Sequence, residues 1–207
     1  MNKVPLIIGH RGASAHAPEN TLAALRMAVN AGADGVEFDV QLAKDGVPVV
    51  IHDPTLDRTC RREGRIADHT SVELGKMDAG SWFNDKHPEA AHASFSAETV
   101  PTLLQVLELL TGYEGSVYVE LKADDSNYRQ LTGTVCDVIR HSPLLPQMIV
   151  KSFKLAAITE VRCLFPHVQT AALFAPQIMD FLRRRKHIVA LAREVRADQI
   201  SLHRSLA

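Results

Sequence analysis

The chain has 207 residues and a formal net charge of −1, with a pI of about 6.8. A balance this close to neutral excludes a global field for nucleic acid or anionic membrane, so an anionic ligand has to be held by local charge. Hydrophobic content of 46% and charged content of 23% are ordinary for a soluble globular protein. Cys60, Cys136 and Cys163 are widely spaced and form no CxxC pair, which argues against a disulfide framework or a zinc site and fits a reducing cytoplasm.

The N-terminal MNKVPLII enters a strand pattern at once; it is read as neither a signal peptide nor a membrane span, and a cytoplasmic location is expected. Pro5 to Ile8 is an apolar run of strand length ending in Gly9-His10-Arg11-Gly12. That places a titratable ring and a fixed cation at the C-terminal end of a strand, where barrel enzymes keep their chemistry. A helix is expected from Thr21, its N-cap, with Leu22, Leu25 and Val29 on one face.

Gly35 to Leu42 alternates strictly, with Val36, Phe38, Val40 and Leu42 apolar and Glu37, Asp39 and Gln41 polar. This is the pattern of a strand with two unlike faces. It puts Glu37 and Asp39 on one face, roughly 7 Å apart. Carboxylates that close repel each other, and a hard divalent cation offsets the repulsion because it prefers oxygen ligands. Asp45-Gly46 then turns the chain into Pro48–Ile51 and His52-Asp53. A two-residue hairpin turn there sets Asp39 opposite His52, a proton-transfer group beside the metal.

Residues 54–100 hold scattered Gly, Pro and His with only a short helical hint at Ser71–Lys76, the pattern of a lid or insert. A helix follows from Thr102 through Leu110, then an alternating strand Ser116–Leu121 that leads Glu120 and Lys122 onto one face. Helix Tyr128–Arg140, strand Met148–Ser152, helix Leu155–Leu164, strand Val168–Leu173, helical sequence Gln177–Val195 and strand Gln199–His203 complete the pattern. The basic run Arg183–Lys186 reads as a solvated helix end. Alternating strands and helices with polar groups at strand ends predict a parallel α/β barrel. A complete (β/α)₈ barrel has eight strands and about 250 residues, and the six strand starts here fall short of it. The chain, 1–207, is expected to form one TIM-type barrel domain lacking its C-terminal strands, with an insert over about 54–100.

His10-Arg11-Gly12, Pro18-Glu19-Asn20-Thr21, Glu37-x-Asp39, Asp45-Gly46, His52-Asp53, Leu56-x-Arg58-Thr59, Val100-Pro101-Thr102-Leu103, Glu120-Leu121-Lys122 and Ser152-Phe153 occur in one order. So does Asp78-Ala79-Gly80-Ser81-Trp82-Phe83 in the insert. Together they resemble the glycerophosphodiester phosphodiesterase family, whose members have a TIM-barrel fold. The resemblance implies hydrolysis of glycerophosphodiesters to glycerol 3-phosphate and an alcohol with one divalent cation, Mg²⁺ or Ca²⁺. It implies that Glu37, Asp39 and Glu120 hold the ion, that His10 and His52 are the acid and base, and that Arg11 and Lys122 bind the phosphate. Such chemistry is sensible independently: a phosphodiester's charge repels nucleophiles, so metal, Arg and Lys neutralise it while histidine moves protons.

Family members continue past the His203 region with two further strands, which this sequence lacks; an open barrel leaves sheet edges for self-association. A small-molecule substrate is expected, with no nucleic acid and no integral membrane association. Two other readings stand beside the first: a lysophospholipase D-type activity on lysophospholipids, and a non-catalytic, anion-binding barrel fragment. Pro18–Thr21 reads as a helix start rather than a site. Trp82 and Phe83 either close over the substrate or pack the insert onto the barrel.

Overall fold

Two neighbouring parallel strands, Gly35–Leu42 and Ser116–Leu121, turn carboxylates to the inside of a curled sheet and apolar residues to surrounding helices, and this parity positions the site. The computed structural model describes residues 4–175 and 185–202. Its strands are β1 (Ile8–His10), β2 (Gly35–Leu42), β3 (Pro48–Val50), β4 (Ser116–Leu121), β5 (Met148–Ser152), β6 (Gln169–Phe174) and β7 (Gln199–Leu202). Six of them run parallel in the order β1-β2-β4-β5-β6-β7, while β3 pairs antiparallel with the end of β2. The longer helices alternate with these strands: α1 (Leu22–Asn30), α5 (Leu103–Leu109), α6 (Tyr128–Ile139), α7 (Leu155–Leu164) and α8 (Arg185–Glu194). Ile8 of β1 and Ile200 of β7 line one cavity, so the sheet curls back on itself. The fold is an incomplete TIM barrel, six parallel strands of the eight in the complete form.

Val36, Phe38 and Val40 of β2, Val117, Val119 and Leu121 of β4, and Met148 and Val150 of β5 form the main core with α1, α5, α6 and α7. Phe38 is fully buried there. The opposite parity carries Glu37, Asp39, Glu120 and Lys151. The helix starts follow from capping. Thr21 Oγ1 accepts from Ala24 N at 3.3 Å, and Thr102 and Gln105 form a reciprocal capping box. Gly12, at φ +77°, lies so close to α1 that a Cβ would fall 2.5 Å from the Ala24 carbonyl carbon. Only glycine lets the chain turn from β1 into the helix there.

Three expectations change. The first strand covers Ile8–His10 rather than Pro5–Ile8, and Leu6 and Ile7 are exposed. The hairpin register is shifted by one: Val40 pairs with Val50 and Gln41 with Val49, and Ile51 N donates to Asp39 O at 3.0 Å. Asp39 therefore faces Ile51, with His52 one residue beyond. The cause is the turn. Ala43 N donates to Val47 O, and of the intervening residues only Gly46, at φ +77°, is left-handed. This is a three-residue loop ending in a left-handed glycine, not a two-residue turn with both central residues at positive φ. The Asp45 carboxylate instead accepts from the Ser71 backbone N–H and hydroxyl, tying the hairpin to the insert.

The insert holds more helix than the short hint at Ser71–Lys76. It contains α2 (Asp57–Cys60), α3 (Ser71–Leu74) and α4 (Ser81–Lys86), joined by 3₁₀ turns. One apolar cluster joins Leu56, Ile66 and Leu74 to Val49 and Ile51; another joins Trp82, Phe83 and Phe95 to Ala17 and Ala24 of the first βα unit. Trp82 and Phe83 are buried, and Trp82 Nε1 donates to Ala79 O at 2.9 Å, so they pack the insert onto the barrel. Phe83, edge-on to both Trp82 and Phe95, is expected to be worth about 3–5 kcal/mol of stability by Phe83→Ala in urea unfolding. A change under 1 kcal/mol would mean a loosely attached insert.

The three cysteines are free, Cys60 and Cys136 buried, and burial pushes both thiols up to about 11. No described helix is long and apolar enough to cross a membrane. Residues 177–184 of the expected last helix, which include Arg183, lie outside the described residues, as does His203.

Candidate active site

Register brings the carboxylates together. In the parallel ladders His10 aligns with Glu37, Asp39 with Glu120, and Glu120 with Lys151. Glu37, Asp39 and Glu120 are buried, and one oxygen from each lies within 4.8 Å of the others. Among the described residues this is the one such group of three potential metal ligands.

Cations surround the triad. Lys122 Nζ is 3.1 Å from Glu120 Oε1 and 3.7 Å from Asp39 Oδ1. Arg11 Nε is 3.3 Å from Asp39 Oδ2, and the Arg11 backbone N–H donates to Glu37 Oε2 at 3.0 Å. Lys151 Nζ is 2.9 Å from Glu37 Oε1 and 3.5 Å from Glu120 Oε2. Asn20 completes the shell: its Nδ2 donates to Asp39 Oδ2 at 2.9 Å and its Oδ1 accepts from Asp39 N at 3.2 Å. Arg11 and Asn20 both hold left-handed backbone, at φ 56° and 59°, conformations that cost non-glycine residues energy and persist where surroundings dictate them.

All the expected site residues lie at this end of the barrel, but not equally close. Glu37, Asp39, Glu120, Arg11 and Lys122 are in mutual contact. His10 stands at the rim, its Nε2 3.8 Å from Glu37 Oε2 and its side chain 63% exposed. His52 shares with Glu120 and Lys122 a cavity of about 310 Å³, which Gln41, Asn127 and Phe153 also line. Its Nδ1 lies 2.6 Å from Asp53 Oδ1. A carboxylate partner there sets the ring with Nδ1–H as donor and Nε2 free to accept a proton.

Sequence reasoning passed over Lys151, Asn20 and Arg58. The signal for Lys151 was a charge inside the otherwise apolar Met148-Ile149-Val150. Asn20 sits in the Pro18–Thr21 segment read as a helix start. Arg58 binds Glu19 through two hydrogen bonds of 2.7 Å and Asp53 through Nε at 2.5 Å, while Arg11 Nη1 takes the other side of Glu19 at 2.8 Å. Arg58 thus ties the His52-Asp53 arm to Arg11. Burial raises the Glu19 and Asp53 carboxyls, but the Arg58 hydrogen bonds, with help from Arg11 and His52, more than offset it and hold both below their ordinary range. Groups lowered on folding contribute stability that is present above the unfolded pKa and is lost as pH falls through the folded one. Arg58→Met is therefore expected to narrow the stability gap between pH 7 and acid, most visibly below about pH 5 in urea titrations; an unaltered pH–stability curve counts against the network.

The triad fits a hard divalent ion. All three donors are carboxylate oxygens, and three protein ligands leave positions for water or substrate oxygens. Glu37 Oε1 is buried and accepts no hydrogen bond of regular geometry.

Comparison with known proteins gives the chain's family. The profile of the family described as "Glycerophosphoryl diester phosphodiesterase family" matches residues 10–202. The chain is 38% identical over 169 residues to a glycerophosphodiester phosphodiesterase of Caldanaerobacter subterraneus, covering 82% of this chain and 66% of that protein. It is 35% identical over 179 residues to the Bacillus subtilis glycerophosphodiester phosphodiesterase, covering 84% and 61%. The chain thus spans about two thirds of the length of these relatives. Among solved structures, a phosphodiesterase of Oleispira antarctica in complex with the product sn-glycerol-3-phosphate superposes with a TM-score of 0.81 at 30% identity, over 99% of this chain and 77% of that one. A glycerophosphodiester phosphodiesterase of Thermotoga maritima gives a TM-score of 0.72 at 26% identity, over 97% and 75%.

Proposed function

Because the chain belongs to the glycerophosphoryl diester phosphodiesterase family, we propose that it hydrolyses glycerophosphodiesters to sn-glycerol 3-phosphate and an alcohol, with a divalent cation, Mg²⁺ or Ca²⁺, held by Glu37, Asp39 and Glu120. The observation that carries this reading is the buried carboxylate triad of β2 and β4, ringed by Arg11 and Lys122. When bound, the ion supplies Lewis-acid stabilisation of charge on the phosphoryl oxygens.

The protein's own groups do the rest. Arg11, braced by Glu19, and Lys122, braced by Glu120 and Asp39, present fixed positive charge to the phosphodiester. They are poised before the reaction and need no reorganisation during it. His52, oriented by Asp53, is suited to take a proton through Nε2 from the attacking oxygen, of water or of the substrate's own hydroxyl, which bonds to phosphorus as the phosphorus–alkoxide bond breaks. His10, exposed at the rim, is suited to deliver one to the departing alkoxide. The pair works as base and acid without either approaching the buried floor of the site.

The test is release of glycerol 3-phosphate from glycerophosphocholine by the purified full chain in Mg²⁺, Ca²⁺ or EDTA, with lysophosphatidylcholine assayed alongside. Release that requires the ion is expected. Preference for lysophosphatidylcholine would move the activity to the lysophospholipase D type. No release from folded protein with either ion would reduce the chain to an anion-binding barrel fragment.

A further inference from the structure

Lys151 is the one charged residue of β5, Met148–Ser152, and it is buried. Its ammonium bridges Glu37 Oε1, at 2.9 Å, and Glu120 Oε2, at 3.5 Å. Lys122 takes the other oxygen of Glu120, and Arg11 takes Asp39. The three carboxylates thereby face three side-chain cations, of which Arg11 is shared with Glu19. Among the described residues Lys151 is the Lys or Arg side chain that pairs with Glu37.

We propose that Lys151 is an internal competitor for the divalent cation: it occupies the carboxylate oxygens the ion needs, and ion binding displaces its ammonium into the adjoining cavity. This rests on the reading of the triad as the ion's site. Adding two positive charges among carboxylates that three cations already face, with an ammonium against the same oxygens and water largely excluded, is unfavourable unless one cation leaves.

Lys151 is the cation placed to leave. Arg11 is pinned on its far side by Glu19, and Lys122 bridges Glu120 and Asp39 from the substrate side. Lys151 rides on a flexible four-carbon stem whose donors rotate freely. It lines a cavity of about 430 Å³ in which Tyr118, Gln199 and Ser201 offer oxygen acceptors and His10 stands at the mouth. Displacement there trades carboxylate partners for neutral ones and leaves a positive charge beside the His10 side of the site. The consequences are an ion affinity lower than the bare triad would give and a Lys151 amine that becomes reactive when the ion is present.

The experiment titrates Ca²⁺ and Mg²⁺ into EDTA-stripped full-length protein by calorimetry, comparing wild type with Lys151→Met, Lys151→Arg and, as a half-buried control outside the triad, Lys154→Met. Lys151→Met is expected to tighten ion binding about 10–100-fold, the scale on which groups around metal ligands act. Lys151→Arg and Lys154→Met keep the wild-type affinity. In the wild type, reductive methylation of Lys151, read by mass spectrometry, is expected to rise on adding saturating Ca²⁺. Unchanged or weaker affinity in folded Lys151→Met overturns the proposal while leaving the triad as an ion site. If Lys151→Met does not fold, the labelling decides, and a Lys151 no more reactive with Ca²⁺ than with EDTA overturns it. An absence of ion binding to the wild type and every variant overturns the triad reading and this inference with it.

Discussion

Asp39→Asn is expected to lower turnover of glycerophosphocholine by about 10³-fold or more and to remove detectable divalent-ion binding at concentrations that saturate the wild type. Asp39 is the member of the triad held from most directions: Asn20 grips its side chain and its backbone N–H, Arg11 and Lys122 approach its two oxygens, and the β2–β4 register sets it beside Glu120. Asparagine keeps the shape and removes the charge. Polarisation of phosphoryl oxygen by a bound ion is worth several kcal/mol of transition-state stabilisation, and each 1.36 kcal/mol is tenfold in rate, so losing the ion costs three decades. The substitution also leaves Arg11 and Lys122 with less compensating charge. Urea unfolding should show a loss, bounded by the about 3–5 kcal/mol typical of stripping one partner from a buried pair. Near-wild-type turnover in Ca²⁺ would remove Asp39 from the ion site, and an unchanged ion affinity with lost turnover would move it to a purely electrostatic role toward substrate.

The parts of this arrangement that sequence revealed are those governed by period and local chemistry. Alternation in Gly35–Leu42 and Ser116–Leu121 placed Glu37, Asp39 and Glu120 on interior faces because side-chain direction in a strand depends on parity alone. Thr21 and Thr102 marked helix starts because capping is decided within three residues. The hairpin register was lost to a single turn residue: Asp45-Gly46 suits a two-residue turn, but the Asp45 carboxylate is engaged by Ser71, a partner supplied by the insert and invisible to local reasoning. The insert itself was illegible because α2, α3 and α4 are four to six residues long, too short to show a helical period. Their stability comes from burying Leu56, Leu74 and Phe83 against the barrel. Asn20 and Lys151 were missed for a related reason. Neither belongs to a periodic pattern of charges, and each matters only through a partner distant in sequence, Asp39 for Asn20 and Glu37 and Glu120 for Lys151.

His10→Ala is expected to reduce turnover by about 10²–10⁴-fold, the contribution of a well-placed general acid or base, while leaving ion affinity unchanged and stability within about 0.5 kcal/mol. That combination follows from where His10 stands. Its side chain is 63% exposed and its nearest triad atom, Glu37 Oε2, is 3.8 Å away, an oxygen already satisfied by the Arg11 backbone N–H. Removing the ring therefore takes the proposed proton donor from the rim without opening a core or touching the buried ion pairs. The KM should change little, because Arg11 and Lys122 continue to hold the phosphate. His52→Ala is the useful contrast. It also removes a proton carrier, but it strips Asp53 of one of two partners and loosens the arm that Arg58 ties to Glu19 and Arg11, so kcat and KM should move together. A His10→Ala protein with normal turnover would pass the whole proton-transfer burden to His52 and water; one that loses the ion would instead make His10 a supporting group of the triad. Only a fall in kcat with ion binding intact is consistent with an acid standing at the rim of the buried triad.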